Sequence, residues 1–482
     1  MIMNEHGGDL VTGLIVVLDI GKTLSKLTVW TAAGVLVDRR TRPNARHVGG
    51  PYATLDTDGI EAWVAETLTA FARMGRVVAI VPVGHGAAAA IVRDGRLATP
   101  VIDYESALPA AERARYDAGR DPFALTGSPT LPDGLNLGAQ LHLLEAMHPD
   151  LLAPGATILL WPQYWAWRLS GVAASEATSL GCHTDLWDPA RSRPSPMAIR
   201  RGWAACLPPL ARAGDVLGTI SADWALRTGL PADVRVHCGL HDSNAALLAA
   251  RGFAEIAGQE ATVLSTGTWF VAMRTPAAGR SAGLTGLSEA RDCLVNVDAE
   301  GRPVPSARFM GGREIETLTG IDTRRIDIAP DQPQLVAAVP AVLASAAMVL
   351  PSFAAGFGPF PRARGRWIGM PADAAERRAA VCLYAALVAD VSLDLIGSRG
   401  TLLIEGRFAE AQVFVRALAS LRPETAVYVA NAHNDVSFGA LRLLDPALKP
   451  DGALARVAPL DADLTGYAAA WRGEVDRMEQ AA

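Results

Sequence analysis

Cysteine is scarce in this chain, no dense run of one charge occurs, and no apolar stretch is long enough to cross a bilayer. The five cysteines, Cys182, Cys206, Cys238, Cys293 and Cys382, are scattered, odd in number and form no Cys-x-x-Cys pair. That argues against a disulfide framework and a structural zinc site, and suits a reducing cytoplasm. Lys+Arg 44 stand against Asp+Glu 50, a net charge of −6 without a basic cluster, so neither nucleic acid nor an anionic membrane is an expected partner. Residues 332–361 carry no charge, but Pro340, Ser345 and Pro351 interrupt them short of the roughly 20 residues of a spanning helix. A buried helix followed by a core strand at Ala347–Leu350 is the expectation. Residues 1–13 contain Glu5 and Asp9 and no apolar core of a signal peptide. A Walker A loop is missing too: Gly21-Lys22-Thr23 would need Gly at position 16, where Val16 stands, and a helix to follow.

What is present is a globular composition, 50% hydrophobic with 45 Gly and 31 Pro, over 482 residues. One core seldom serves such a length, so two domains are expected. Leu14–Leu18 reads as a strand, and Leu24–Trp30 alternates as a second strand rather than a helix. Val35–Arg39 returns as a third, followed by a helix over 58–74 and a strand at Val77–Val83. A turn at Arg93–Arg96 closes a hairpin, and 136–148 and 160–170 read as helices, the latter with Pro162 early and Gly171 as its stop. The second half repeats this order: strands at Val234–Leu240, Val263–Ser265, Thr401–Ile404 and Val427–Ala430, with helices over 409–421 and 438–444. The boundary falls near 235, giving units 11–235 and 236–482.

Three loops carry the chemistry. Asp19-Ile20-Gly21-Lys22-Thr23 ends the first strand, Gly239-Leu240-His241-Asp242 ends a later one, and Ser265-Thr266-Gly267-Thr268-Trp269 follows. A turn between antiparallel strands can hold phosphate: Gly21 permits a close backbone, Thr23 and Ser25 offer hydroxyls, and Lys22 or Lys26 offers charge. Asp19 would orient Mg²⁺ through water. Thr266, Gly267 and Thr268 have the same chemistry. Each alone is equally an ordinary hairpin turn; their recurrence in two halves favours phosphate. Asp242 also has two readings, a helix cap with Ser243 or a general base that takes the proton of an attacking hydroxyl. His241 could face a substrate or pack internally, and so could His85. Trp161, Tyr164, Trp165 and Trp167 read first as helix core. Together the loops suggest phosphoryl transfer from ATP to a small hydroxylated molecule.

In order and spacing these loops resemble the FGGY carbohydrate kinases of the actin-like ATPase superfold, over about Leu14 to Leu444. Asp19–Lys26 is similar to the family's Asp-x-Gly-Thr-Thr-x-Ser-Arg motif. Ala79–Gly86 and Asp94–Tyr104 are similar to its sugar-pocket segment, and Tyr164–Gly171 with Glu176–Ser179 to its Asp-Tyr-Leu helix region. Gly239–Asp242 resembles the catalytic-base motif, Ser265–Trp269 the second phosphate motif, and Pro351 to Gly369 a later Pro/Gly segment. The resemblance implies an α/β fold of two RNase-H-like (actin-like ATPase) domains flanking a central catalytic cleft. It implies Asp242 as base and Asp19 serving Mg²⁺, with Gly21, Lys22, Thr23, Ser25, Lys26, Thr266, Gly267 and Thr268 on the phosphates of ATP. Gly406, Arg407 and Gly439 would lie at the nucleotide, and His85, Gly86, Gln163, Tyr164 and His241 at the sugar.

Three departures stand out. Lys22 replaces Thr or Ser, Gln163 replaces a frequent Asp, and Gly-Gly-Gly-x-x-Ser becomes Glu405-Gly406-Arg407-Phe408-Ala409-Glu410, with Gly439-Ala440 keeping the later Gly-Ala element. Arg407 stacking on adenine and Phe408 filling the pocket are the two readings there. The expected activity is phosphorylation of a ketose or 6-deoxy-ketose of rhamnulose, fuculose, xylulose or ribulose type, in the cytoplasm and as a homodimer by family analogy. A catalytically weak sugar or nucleotide sensor of the same fold is the alternative.

Overall fold

The computed structural model describes residues 13–323, 325–430 and 436–480. Leu14–Ile20 (β1) and Leu24–Thr31 (β2) form the expected hairpin, and Leu36–Pro43 (β3) continues it antiparallel. Val77–Gly84 (β4) then pairs parallel to β1, and Val216–Thr219 (β5) pairs antiparallel with Arg235–His237 (β6). The sheet order is β5-β6-β4-β1-β2-β3, with Leu240–His241 (β7) also pairing β4. Every residue of β4 is buried, as a central strand covered on both faces must be. On one face Val16, Leu18 and Ile20 meet Ile60, Val64, Leu68 and Phe71, the apolar stripe of helix Thr57–Ala72, which Asp56 caps by accepting from Gly59 N–H at 3.0 Å. On the other face Ile15 and Val17 join Val83, Leu240, Ala245 and Phe438.

The strand expected over Val234–Leu240 is broken in two. Gly239 has φ of +77°, and a Cβ there would lie 2.0 Å from the Pro82 carbonyl oxygen. The backbone therefore kinks against β4 and resumes as β7 with one extra residue, so that Leu240 faces Val83 where unbroken register would put it opposite Gly84.

The chain divides into two compact units, the first comprising Met1–Gly252, Val295–Pro303 and Asn434–Pro450, the second Phe253–Leu294, Val304–His433 and Asp451–Ala482. The sequence reading has a single crossing at 235/236; here the first unit keeps helix Asp242–Ala250 and takes back helix Val436–Leu441. Those two helices belong together because Gly439 lies so close to the first that a Cβ would meet Ala245 O at 1.7 Å.

In the second unit Ala261–Thr266 (β8) and Phe270–Thr275 (β9) form a hairpin, and Pro303–Phe309 (β10) adds antiparallel to β9. Thr401–Gly406 (β11) pairs parallel to β8, Ala426–Ala430 (β12) parallel to β11, and Leu454–Arg456 (β13) antiparallel to β12. Helix Gln332–Ser345 and the buried strand Met348–Leu350 occupy the uncharged stretch as expected. Helix Ala374–Leu395 is absent from the sequence reading. It buries Ala379, Leu383, Tyr384, Ala386, Leu387 and Val388, apolar on most sides, so no one-sided stripe announces it. No helix among the described residues is long and apolar enough to cross a membrane.

Because Gly439 has no room for a side chain, Gly439→Ala should lower stability by about 1–3 kcal/mol, as overpacking does. A thermal midpoint equal to the wild type's would contradict this packing.

Candidate active site

Strand register assembles the first unit's polar end. Asp19 of β1 and Leu240 of β7 both lie opposite Val83 of β4, and Ile20 and His241 both lie opposite Gly84. Strands spaced at about 4.8 Å place Asp19 and Leu240 about 10 Å apart at the carboxyl end of parallel strands, where open α/β sheets bind ligands. Asp19 alternates with Ile15 and Val17, so it shares their face of the sheet, the face that helix Asp242–Ala250 covers.

The first turn is a tight hairpin, with Gly21 N–H donating to Leu24 O at 3.1 Å. Asn44, which the sequence reading passes over, fastens it: its amide donates to Gly21 O at 2.7 Å and its Oδ1 accepts from the buried Ser25 hydroxyl at 2.7 Å. Ser25 is thus occupied within the protein, while Thr23 is exposed. Lys26 lies 3.1 Å from Asp19, its register partner. Lys22 points elsewhere, to Asp103 at 2.9 Å and Glu105 at 2.6 Å, with its ammonium 4.7 Å from the Tyr104 ring centroid.

Asp242 opens its helix, but the cap position falls on His241, whose side chain makes no capping bond. The Asp242 carboxylate is held on one oxygen: Oδ1 accepts from Ser243 N–H at 2.6 Å and lies 3.2 Å from His241 Nε2. With the Asn244 amide donating to His241 Nδ1 at 3.3 Å, the ring proton sits on Nε2, facing Asp242 and the Cys182 Sγ 3.3 Å away. Burial lowers the His241 pKa, so the ring is neutral at physiological pH. Among the described residues Asp242 Oδ2 has no hydrogen bond, and the side chain keeps 30% of its exposure.

A buried carboxylate stands behind this group. Glu176 accepts from Thr178 N–H (2.9 Å) and hydroxyl (2.6 Å) and from Ser179 N–H (3.0 Å), and the Thr178 hydroxyl oxygen in turn accepts from His241 N–H at 3.0 Å. In sequence Glu176–Ser179 stands out only as a family segment; Glu176 caps the short helix here although Glu is not one of the usual cap residues, so no local signal announces it.

Other expected sugar contacts separate. Gln163 is fully buried and donates to the carbonyls of Cys238 (3.3 Å) and Gly239 (3.2 Å), bracing the kink before Asp242, with its Oε1 unpartnered. Tyr164 belongs to the apolar core, stacked on Trp161 at 5.6 Å and edge-on to Trp165, because its position on the helix faces the sheet. Gly86 is close-packed, a Cβ there meeting Cys182 Sγ and His241 Nε2. His85 packs edge-on to Tyr104 at 5.5 Å, with Nδ1 on Gly86 O at 2.7 Å and Nε2 unpartnered. Gly439 serves helix packing.

The second unit holds the other turn. Gly267 N–H donates to Trp269 O at 2.9 Å, and Gly312 of helix Gly311–Thr319 lies so near that a Cβ would be 2.0 Å from Gly267 O. The Thr266 hydroxyl donates to Glu405 O (2.6 Å) and accepts from Phe408 N–H (3.0 Å), tying the turn to the 405–408 segment. Gly406, with φ of +84°, would drive a Cβ to 2.3 Å from Thr266 O. Arg407 donates to Thr323 at 2.9 Å, and Phe408 is core, 5.2 Å from Phe270.

Both sheets share one local order, an antiparallel hairpin flanked by a third strand and then a parallel neighbour, which defines two actin-like, RNase-H-like α/β units. The family model for the carbohydrate kinase FGGY C-terminal domain matches residues 258–451. Over 97% of this chain and 99% of the other, the protein is 59% identical to a carbohydrate kinase from Novosphingobium aromaticivorans, with a TM-score of 0.93. The xylulose kinase from Rhodospirillum rubrum shares the fold at 18% identity and TM-score 0.79, covering 97% of this chain and 98% of its own. An L-fuculokinase from Salmonella typhi is 27% identical over 272 residues, 54% of this chain, so the match spans 56% of that relative's length. The chain belongs to the FGGY carbohydrate kinases.

Burial pushes Glu176 up to about 6 from 4.5, against the pull of the N–H and hydroxyl donors of Thr178 and Ser179. Between those values the unfolded chain loses this proton first, so stability falls as pH rises, by about 2 kcal/mol in all. Glu176→Gln should flatten that part of the stability–pH curve. Parallel curves from pH 4.5 to 6 would contradict the assignment.

Proposed function

We propose that this protein is a Mg·ATP-dependent kinase that phosphorylates a hydroxyl of a ketose or 6-deoxy-ketose, with Asp242 as the general base. The observation that carries the reading is the asymmetric carboxylate of Asp242. Oδ1 is held by Ser243 N–H and His241, and Oδ2 is left open at the end of the β1–β4–β7 row. A fixed carboxylate with one free oxygen can accept the proton of an attacking alcohol as its bond to phosphorus forms. The neutral His241 steadies the carboxylate without placing a positive charge beside it.

The glycine turns at 21–23 and 266–268 are the phosphate candidates, through backbone N–H groups and exposed Thr23. Ser25 and Thr266 shape their turns from within. Gly406 and Arg407 are the nucleotide candidates. Among the described residues no three His, Cys, Asp or Glu side chains group to enclose a metal. A single carboxylate such as Asp19, here paired with Lys26, suits Mg²⁺, which keeps waters and takes its other ligands from phosphates. Bound there, Mg²⁺ would offset phosphate charge. All five cysteines are free thiols, which fits a reducing cytoplasm.

The named relatives include an L-fuculokinase and a xylulose kinase, which supports a ketose-type acceptor. ADP release with Mg·ATP against ketoses, 6-deoxy-ketoses, aldoses and polyols tests the reading. Asp242→Asn should cut turnover about 10²-fold or more while sugar binding stays nearly intact. Near-normal turnover in that variant would remove Asp242 from its role.

A further inference from the structure

Lys22 starts in a turn whose neighbours suit phosphate, yet its ammonium ends on a different loop. It meets Asp103 at 2.9 Å, Glu105 at 2.6 Å and the face of Tyr104. Asp103 is fully buried. Its Oδ1 takes Lys22 and the Glu105 N–H (2.9 Å), whereas Oδ2 accepts no hydrogen bond and has only Arg46 Nε, 3.4 Å away. Edge-on to the same Tyr104 ring stands His85, itself buried. Its Nδ1–H serves Gly86 O, so the unpartnered Nε2 is an acceptor.

Two buried acceptors that lack a hydrogen bond, one with only the Arg46 ion pair at 3.4 Å, are costly, and a ligand that satisfies them must bring O–H or N–H groups. A carboxylate or phosphate brings none. Lys22 and Arg46 also balance Asp103 and Glu105, so the wall has no net charge with which to attract an acid. Glu105 is 56% exposed, which leaves its half of the clamp replaceable.

We propose that Lys22 and Asp103 are specificity-determining residues of the acceptor pocket, selecting a neutral sugar with adjacent hydroxyls, and that Lys22 is not a phosphate ligand. Lys22 donates to one hydroxyl while Asp103 Oδ2 accepts from its neighbour. The inference rests on the kinase reading above, and it moves Lys22 from the nucleotide to the sugar.

Calorimetry of sugar binding without nucleotide, together with separate KM values for sugar and ATP, tests it on Lys22→Ala, Lys22→Thr and Asp103→Asn. Lys22→Thr restores a residue type common in the family and guards against loss of fold, which thermal melts would report. Removing a hydrogen bond to a charged group should weaken sugar binding and raise sugar KM about 10- to 100-fold, with ATP KM within about twofold. A hexonic acid should bind more weakly than the matching neutral sugar. A rise in ATP KM with sugar KM unchanged would overturn the proposal, as would no change in either. Wild-type protein that binds sugar but never phosphorylates it would sink the kinase reading alone, because the binding data still judge Lys22 and Asp103.

Discussion

The shared register of β1, β4 and β7 is the constraint on which the site depends. Val83 and Gly84 each face one residue of β1 and one of β7, so Asp19 and the start of the Asp242 helix are set by backbone pairing. A one-residue slip would turn Asp19 to the opposite face. The kink at Gly239 makes β7 possible, and Gln163 holds the carbonyls on both sides of it. Gly439 then lets helix Val436–Leu441 press on the Asp242 helix from behind.

Much of this was legible in the chain. Alternation identified β1 and β2 as a hairpin, which excluded a Walker loop, and the uncharged stretch resolved into a helix and a core strand as composition suggested. The helix Ala374–Leu395 was not legible, since burial on most sides erases the amphipathic period. Nor was the discontinuous first unit, because the return of 434–450 follows from a helix–helix contact of high sequence separation.

At the site, the sequence marks positions but not directions. Asp242 was readable as base or cap, and only the geometry shows the cap position taken by His241 and one carboxylate oxygen left open. Tyr164 and Gln163 follow one another in sequence, yet one joins the core and the other braces a backbone kink. Lys22 is the clearest case. Its neighbours suggest phosphate, and its flexible stem carries the charge to Asp103 instead. Asn44 acts through a backbone group of another loop, and Glu176 reaches His241 only through Thr178, partnerships that local pattern does not encode.

The most direct measurement is phosphorus NMR of the protein with Mg·ATP and a neutral ketose, followed through consumption of the nucleotide. The account predicts a new sugar phosphomonoester appearing in step with ADP, and no growth of the inorganic phosphate signal. ATP left intact across the ketoses, or converted to inorganic phosphate whether or not a sugar is present, would contradict it.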